Sequence, residues 1–118
     1  MIPLNTLIKK ILFVCVFTLL FFKGYSQMIY VTDNQAFADV KVFVVSSQGF
    51  ADLLVYKQTN QAFVGANNGQ WFFTPDQAFA KKKICFVSSQ AFADITIFYV
   101  DSQNFAGWIN RSKKSLFD

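Results

Sequence analysis

A short motif, Gln-x-Phe followed by a small residue, occurs six times and constrains the fold of this chain more than any other feature. Successive motif phenylalanines are 13, 13, 16, 13 and 13 residues apart. A unit this short cannot bury an apolar face alone, so the spacing predicts one domain of six units packed on one another. The motif positions are Gln35 and Phe37, Gln48 and Phe50, Gln61 and Phe63, Gln77 and Phe79, Gln90 and Phe92, and Gln103 and Phe105.

A second period lies above the first. Gln35 and Gln77 are 42 residues apart, and the next two pairs of motifs repeat that separation. Outside the motif, Gly65 and Gly107 match at the same distance. The repeat region therefore consists of two related halves, at about residues 28–76 and 77–118, each built from units of 13, 13 and 16 residues.

Between the motifs lie short runs of β-branched and aromatic residues, the composition that favours β-strands. Apolar residues occupy both phases of the strand alternation, which predicts strands covered on both faces. We therefore expect an all-β or β-rich compact repeat domain with short capped turns. The predicted strands are Met28–Thr32, Val40–Val45, Leu53–Tyr56, Trp71–Thr74, Ile84–Val87 and Ile95–Val100.

Each motif marks a corner of the chain, and the residue before its glutamine is always Asn, Ser or Asp. Such side chains cap helical turns, and Gln-Ala-Phe-Ala favours helical dihedrals but is too short for a stable helix. We interpret each corner as one capped turn; a plain β-turn is the alternative. In both cases we expect the motif phenylalanine to point inward and plug a shared core. Phe117, beyond the last motif, is expected at a frayed end.

The stretch Tyr30–Asp39 reads Tyr-Val-Thr-Asp-Asn-Gln-Ala-Phe-Ala-Asp, and its copies follow the same pattern. These repeats resemble those of the septoil (septafoil) knot domain family of small bacterial proteins, over Met28 to Lys114. The resemblance implies a compact β-rich domain that is deeply knotted, with its two halves wound about one another, and it implies no activity. The chain departs from the pattern in its N-terminal apolar segment and in Lys113–Phe117, which replaces a clean strand.

Residues 1–26 have the three parts of a secretory signal peptide. A positive start ends at Lys10, an apolar core of twelve residues runs over Ile11–Phe22, and small residues precede a cut before Gln27. A membrane-spanning helix needs about 20 apolar residues, so we expect cleavage, with an uncleaved anchor as the alternative. The exported protein is then one domain, residues 27–118, periplasmic or extracellular, without a transmembrane anchor.

Charge and cysteine content restrict the partners. The chain carries a net charge of +4, but three lysines lie in the leader, so residues 27–118 hold eight basic and seven acidic side chains. This balance does not provide the positive surface that binds phosphate backbones, and we expect no nucleic-acid partner. Cys85 is the single cysteine of residues 27–118, so it has no intrachain disulfide partner there and is expected to be buried.

The chain contains no histidine and no glutamate, which excludes serine and cysteine triads and histidine-ligated metals. We expect no cofactor. Asp39, Asp52 and Asp94, each two residues after a motif phenylalanine, are weak candidates for calcium ligands. Lysine and glycines take the equivalent positions elsewhere, so hydrogen bonding at turns is the favoured role. The motif glutamines are expected to satisfy backbone groups at the corners; an amide ladder or a groove lining is the alternative.

These observations favour a non-enzymatic exported domain with a structural or interaction role. The alternative is a small binding module for a glycan or a cation at the cell surface, which would use exposed aromatic side chains or the aspartates. Clustered exposed aromatic residues would favour binding. The sequence does not identify the partner, and it leaves homo-oligomers open.

The leader generates the first testable prediction. Protein isolated from the native host should begin at Gln27, as the residue itself or in its cyclised form, because small residues occupy the positions that signal peptidase requires. Mass spectrometry of the N-terminal peptide measures this directly. Recovery of a peptide that begins at Met1 from a membrane fraction would contradict cleavage and indicate an anchor.

Overall fold

The structure, a computed structural model, describes residues 27–118, so the predicted signal peptide lies outside the described residues. Within this range seven strands alternate with short 3-10 turns, and no helix is long and apolar enough to cross a membrane. All six predicted strands are present, with ends shifted by at most two residues. The strands are β1 Met28–Val31, β2 Val40–Val44, β3 Leu53–Lys57, β4 Gln70–Phe73, β5 Lys82–Phe86, β6 Ile95–Tyr99 and β7 Gly107–Trp108.

The first six strands form a closed barrel in which all neighbours are parallel. Their order is β4-β1-β5-β2-β6-β3, and β3 pairs with β4 to complete the ring. The short strand β7 lies antiparallel against the start of β3. Strands of the first half, β1 to β3, thus alternate strictly with strands of the second half, β4 to β6. The fold is the compact β-rich repeat domain that the spacing predicts.

Each strand within a half begins where the preceding strand of that half ended, two places further around the barrel. Val31, at the end of β1, pairs with Ile84 of β5, and Ile84 also pairs with Val40, at the start of β2. The three residues therefore lie at one level of the sheet. The chain climbs along one strand, crosses a strand of the other half and climbs again, so the two halves wind around the barrel together.

The turns between strands are the corners predicted from the motif. Corners 1 to 6 are the 3-10 turns Gln35–Phe37, Gln48–Phe50, Gln61–Phe63, Gln77–Phe79, Gln90–Phe92 and Gln103–Phe105. Corners 1, 2, 4 and 5 join strands of one half, and each crosses a strand of the other half. At corner 1, the Thr32 N–H donates to the Ile84 carbonyl (2.8 Å) and the Asp39 N–H donates to the Lys83 carbonyl (2.7 Å). Corner 1 is thus fastened to both edges of β5.

The corners cross on the outside of the barrel. Corner 2 crosses β6, where the Thr96 hydroxyl donates to the Phe50 carbonyl oxygen over 2.9 Å. Ile95 and Ile97, on either side of Thr96, belong to the core, so the Thr96 side chain faces away from it. The carbonyl that it contacts therefore lies on the outer surface of the sheet.

A rotation about the barrel axis from one strand to its neighbour superposes one unit on another. In every pair of neighbouring strands, a residue pairs with the residue two positions before its repeat equivalent on the next strand, and this offset is the same at all six steps around the barrel. The register therefore places the corners in a ring at one height. The pairs that show the offset are Phe72 with Met28, Tyr30 with Lys83, Cys85 with Lys41, Phe43 with Thr96, Phe98 with Leu54, and Tyr56 with Gln70.

The barrel interior is a single apolar core. Inward side chains alternate with outward ones along each strand, and one equivalent position per strand forms a ring with no solvent exposure. On the outer face most side chains are only half-buried, because the corners cover part of it. The expectation of strands covered on both faces is therefore met inside and only in part outside. The ring consists of Ile29, Val42, Val55, Trp71, Ile84 and Ile97.

The C-terminal segment completes this core, contrary to the expectation of a frayed end. A 3-10 helix, Arg111–Phe117, carries Phe117 into the barrel, where it is 0% exposed. Its ring centroid lies 5.1 Å from that of Trp71 and 6.0 Å from that of Trp108. The Gln27 side-chain amide donates to the Phe117 carbonyl over 3.2 Å. The aromatic side chain that fills the core is therefore Phe117, which lies outside the repeated units.

The motif phenylalanines point outward, so the expectation that they plug the core is wrong. Their side chains are 64–73% exposed. The physical reason is the crossing: the space beneath a corner is taken by the strand that it crosses, as the Thr96 contact to Phe50 shows. The third residue of the turn is left on the solvent side. The six residues are Phe37, Phe50, Phe63, Phe79, Phe92 and Phe105.

This reversal predicts the ranking of three alanine variants. Phe117→Ala should lower the free energy of unfolding by about 3–5 kcal/mol, because it empties a buried aromatic site. Phe50→Ala and Phe92→Ala, related by the 42-residue period, should each change it by less than about 1 kcal/mol, as surface substitutions do. Denaturant unfolding measures the difference, and unfolding rates replace it where equilibration is slow. An equal cost for Phe50→Ala and Phe117→Ala would contradict the assigned positions.

Candidate binding site

Each corner is built by backbone hydrogen bonds, and the predicted side-chain cap is present at four of the six corners. The third residue of the turn donates to the carbonyl of the residue before the glutamine, and the residue after the turn donates to the glutamine carbonyl. The preceding side chain accepts a backbone N–H at four corners, through Asn34, Asn60, Asp76 and Ser102. Ser47 and Ser89 make no such bond. Every corner is thus a 3-10 turn, and a side-chain cap is present at four of the six.

The six outward phenylalanines form one surface feature, here named the phenylalanine belt: Phe37, Phe50, Phe63, Phe79, Phe92 and Phe105. Because the corners form a ring, the belt encircles the barrel instead of occupying one side of it. An exposed phenylalanine presents a large apolar face to water, and six in so small a domain is unusual. The belt is therefore the leading candidate for a functional surface.

Shallow clefts lie between adjacent corners and recur at equivalent positions. Each contains a belt phenylalanine, the glutamine of the neighbouring corner and an outward aromatic side chain of the strand between them. Cleft A is lined by Tyr30, Thr32, Phe37, Gln77 and Lys83. Cleft B is lined by Phe43, Val44, Val45, Ser46, Phe50 and Gln90. Cleft C is lined by Gln48, Phe98, Tyr99, Val100, Asp101 and Phe105.

The clefts are small and differ mainly in charge. Their volumes are about 220 Å³ for A, 360 Å³ for B and 400 Å³ for C. Lys83 brings a positive charge to cleft A, Asp101 brings a negative charge to cleft C, and neither charge has a counterpart in cleft B. The features common to all three clefts are therefore uncharged: two aromatic rings and one amide.

The motif glutamines were expected to satisfy backbone groups at the corners with their side-chain amides. In the structure it is their backbone carbonyl oxygens that accept the corner N–H groups. Within residues 27–118, Gln61 donates to the Met28 sulfur over 3.6 Å, and Gln103 accepts from Gln58 over 3.3 Å. The amides of Gln48, Gln77 and Gln90 line the clefts instead. For these three residues the structure agrees with the groove alternative.

The sequence did not single out the strand aromatics of the clefts, Tyr30, Phe43 and Phe98. The sequence did contain a signal for them, the alternation of faces along a strand. Each lies next to a core residue and therefore on the opposite face of the strand, for example Phe43 beside Val42. A strand that is apolar at both phases reads as doubly covered. The structure shows instead that the outer face is only partly covered: Phe43 and Phe98 are half-buried and pack against a small buried cluster of Val45, Ala51 and Leu54.

Asp39, Asp52 and Asp94 hold the strands together. In each case the backbone N–H donates to a carbonyl on the crossed strand, and the carboxylate accepts the N–H of that same residue. The carboxylate distances are 2.9 Å for Asp39 to Lys83 N, 2.9 Å for Asp52 to Thr96 N and 2.7 Å for Asp94 to Lys41 N. Each aspartate thereby extends the ladder by one bond at the start of a strand. The part of the chain that the structure describes contains no cluster of three potential metal ligands.

Asp52 also fastens the C-terminal segment. Its carboxylate accepts from the Asn110 amide over 3.3 Å and lies 3.2 Å from the Lys113 ammonium, while its carbonyl accepts the Ile109 and Asn110 N–H groups. Burial raises the pKa of Asp52, but the hydrogen bonds from Thr96, Asn110 and Lys113 and the charge of Lys113 outweigh burial and lower the pKa below its ordinary 3.8. The ionised form therefore stabilises the fold.

Cys85 lies on β5 and is 4% exposed, as expected for a thiol in an apolar strand. Its sulfur contacts the carbonyl of Phe86 at 3.7 Å. Cys85 occupies the outward strand position that Tyr30 and Phe43 occupy in clefts A and B.

Residues 26–109 match a family model described as the 7(1) septoil knot domain. No curated protein matches the chain.

The Asp52 contacts predict a pH dependence. A folded pKa below 3.8 means that the carboxylate contributes stability above that pH and loses it as the pH falls through the folded pKa. At pH 7, Asp52→Asn should lower the free energy of unfolding by about 1–2 kcal/mol, a modest value because the Lys113 pair is partly exposed and screened. The difference from the native protein should shrink in strongly acidic buffer.

Denaturant unfolding at pH 7 and in acid measures this effect, with Asp101→Asn, an exposed aspartate of cleft C, as the matched control. If Asp52→Asn lowers the free energy of unfolding by the same amount at both pH values, the loss comes from the changed shape of the side chain and not from its charge. If Asp52→Asn leaves the free energy of unfolding unchanged at pH 7, the stabilising role of Asp52 is contradicted.

Proposed function

The chain belongs to the septoil knot domain family, and from that premise we propose that its function is binding and not catalysis. The protein acts as an exported, non-enzymatic interaction domain, and the phenylalanine belt is its contact surface. This proposal joins the interaction role that the sequence favours with its alternative, a surface binding module, in one site.

The observation that carries the proposal is the exposure of all six belt phenylalanines, at 64–73%. None of them is needed to fill the core, which Trp71 and Phe117 complete. Aromatic side chains supply much of the binding energy at protein interfaces, and contiguous exposed apolar surface marks such sites. All six units keep the phenylalanine, whereas only three keep the aspartate two residues later.

The closed barrel limits how a partner can be recognised. A strand at the edge of a sheet offers unpaired N–H and C=O groups to a second chain, and closure of the ring removes such edges. β1 to β6 each have neighbours on both sides. Recognition must then depend on the side chains of the corners and the clefts, the surface where the belt lies.

The linings of the clefts support binding over catalysis. General acid–base chemistry needs a positioned acid and base within reach of one substrate, and nucleophilic chemistry needs an activated nucleophile. Lys83 and Asp101 lie in different clefts, and cleft B holds no charged residue. No cleft among A, B and C therefore pairs a carboxylate with an amine.

Export is part of the proposal and depends on the predicted signal peptide at residues 1–26. An exported domain would meet its partner in the periplasm or outside the cell. The near-neutral charge of residues 27–118 gives no support to a nucleic-acid partner.

The test compares a belt variant with a matched control. The belt variant carries Phe37→Ser, Phe50→Ser and Phe105→Ser, one substitution in each cleft. The control carries three apolar-to-serine changes away from clefts A, B and C, at Val31, Phe86 and Ile109, which are also exposed. Both variants should retain the fold, checked by circular dichroism and melting.

The native protein and the control should be retained on immobilised surface and extracellular material from the native host. The belt variant should bind at least tenfold more weakly, a factor that corresponds to about 1.4 kcal/mol. This is a modest expectation, since burial of a phenylalanine is worth roughly 1.5–3 kcal/mol. Equal retention of the belt variant and the control, or no retention of the native protein, would refute the belt as the contact surface.

A further inference from the structure

We propose that clefts A, B and C each bind one sugar ring of an uncharged glycan, so that the barrel takes up a neutral polysaccharide around the phenylalanine belt. The inference rests on the proposed binding function and names the class of its partner. It is drawn from what the three clefts share, from the charges that they do not share, and from their placement around the barrel.

The shared lining matches the surface of a sugar ring. A pyranose presents an apolar face of C–H groups and a rim of hydroxyls that both donate and accept hydrogen bonds. In each cleft the belt phenylalanine and the strand aromatic offer apolar ring surface. The glutamine amide offers both donors and an acceptor, which a hydroxyl group can use simultaneously. The combination of apolar walls with few polar groups is typical of small-molecule sites.

The charges exclude an ionic ligand as the common occupant. An anionic group would be attracted by Lys83 in cleft A and repelled by Asp101 in cleft C, and a cationic group would show the reverse preference. Only an uncharged ligand can use all three clefts in the same way. The partner is therefore a neutral glycan and not an acidic polymer, a nucleic acid or a metal ion.

The sizes of the clefts set the length of ligand that each can hold. Sites for drug-sized ligands usually measure about 300–1,000 Å³. Cleft A, at about 220 Å³, lies below this range, and clefts B and C, at about 360 and 400 Å³, lie at its lower end and are open to solvent. We therefore assign one ring to each cleft, with the neighbouring rings of the polymer outside it. Each cleft alone should thus bind weakly and should accept an internal unit of a polymer as readily as its end.

The ring of corners makes the clefts multivalent. Clefts B and C lie one step of the rotation apart, and cleft A lies two steps from cleft B, with the Cys85 position between them. Separate rings of one polymer can therefore meet the same chemistry at three places around the barrel. Linked sites raise affinity by about 10²–10⁴ over a single site without new contacts. A flat lipid surface could touch only one side of the barrel, whereas a flexible polymer can follow it.

The test uses protein purified from the native host and, for each neutral polymer tried, four probes: the polymer, its trisaccharide, the corresponding monosaccharide, and alginate as an acidic polymer of similar length. Calorimetry should show binding of at least one neutral polymer, with β-glucan, mannan and xylan tried in turn. The polymer should bind at least 100-fold more tightly per chain than its trisaccharide, and alginate should not bind.

Variants locate the site. Gln48→Ala in cleft C should weaken polymer binding severalfold, and the triple belt variant should weaken it at least 100-fold. Gln61→Ala, whose amide contacts Met28 and lines none of the three clefts, is the matched control and should bind as the native protein does. Equal losses in Gln48→Ala and Gln61→Ala would overturn the assignment of the clefts.

The remaining outcomes separate this inference from the proposed function. If no neutral glycan binds, while belt-dependent retention on host material persists and is abolished by protease, the partner is a protein and the glycan assignment fails alone. Alginate binding as tight as that of the neutral polymer would also overturn it. If retention on host material is independent of the belt, the binding function and the glycan assignment fail together.

Discussion

A corner fastened to both edges of the strand beneath it is the interaction on which the rest of this structure depends. At corner 1 the Thr32 and Asp39 N–H groups donate to adjacent carbonyls of β5, and the Asp39 carboxylate accepts the Lys83 N–H in return. Because the crossed strand belongs to the other half, neither half can close a barrel without the other. The same crossing occupies the space beneath the corner and leaves the motif phenylalanine in solvent.

The crossing also explains why so small a domain can carry a large apolar surface. Stability comes from an interior ring of side chains with no solvent exposure and from Phe117 packed on Trp71. The corner phenylalanines therefore do not contribute to the core. The rotation that relates the units then repeats the corner phenylalanine and glutamine around the barrel, and clefts A, B and C add a strand aromatic at equivalent positions, which Cys85 replaces on β5. Equivalent small sites at clefts A, B and C follow from the repeat itself, and these three clefts differ mainly in the charges of Lys83 and Asp101.

The sequence predicts those features that repeat and misses those that do not. The strands and capped corners follow from local composition, which is copied six times. The direction of Phe50 does not follow, because a three-residue turn has no amphipathic period to distinguish core from solvent. The strand order is also hidden, since the two halves are so alike that composition favours no pairing. Phe117 occurs once, so only the geometry of the barrel reveals that it fills the core.

Fluorine NMR of protein labelled with 4-fluorophenylalanine distinguishes motif phenylalanines that face solvent from a buried Phe117. Each fluorine resonance shifts between H₂O and D₂O in proportion to its contact with solvent, and single Phe→Tyr variants assign the signals. We expect large solvent shifts for the six belt residues and none for Phe117. A solvent shift at Phe117 together with protected fluorines at Phe50 and Phe92 would contradict this expectation.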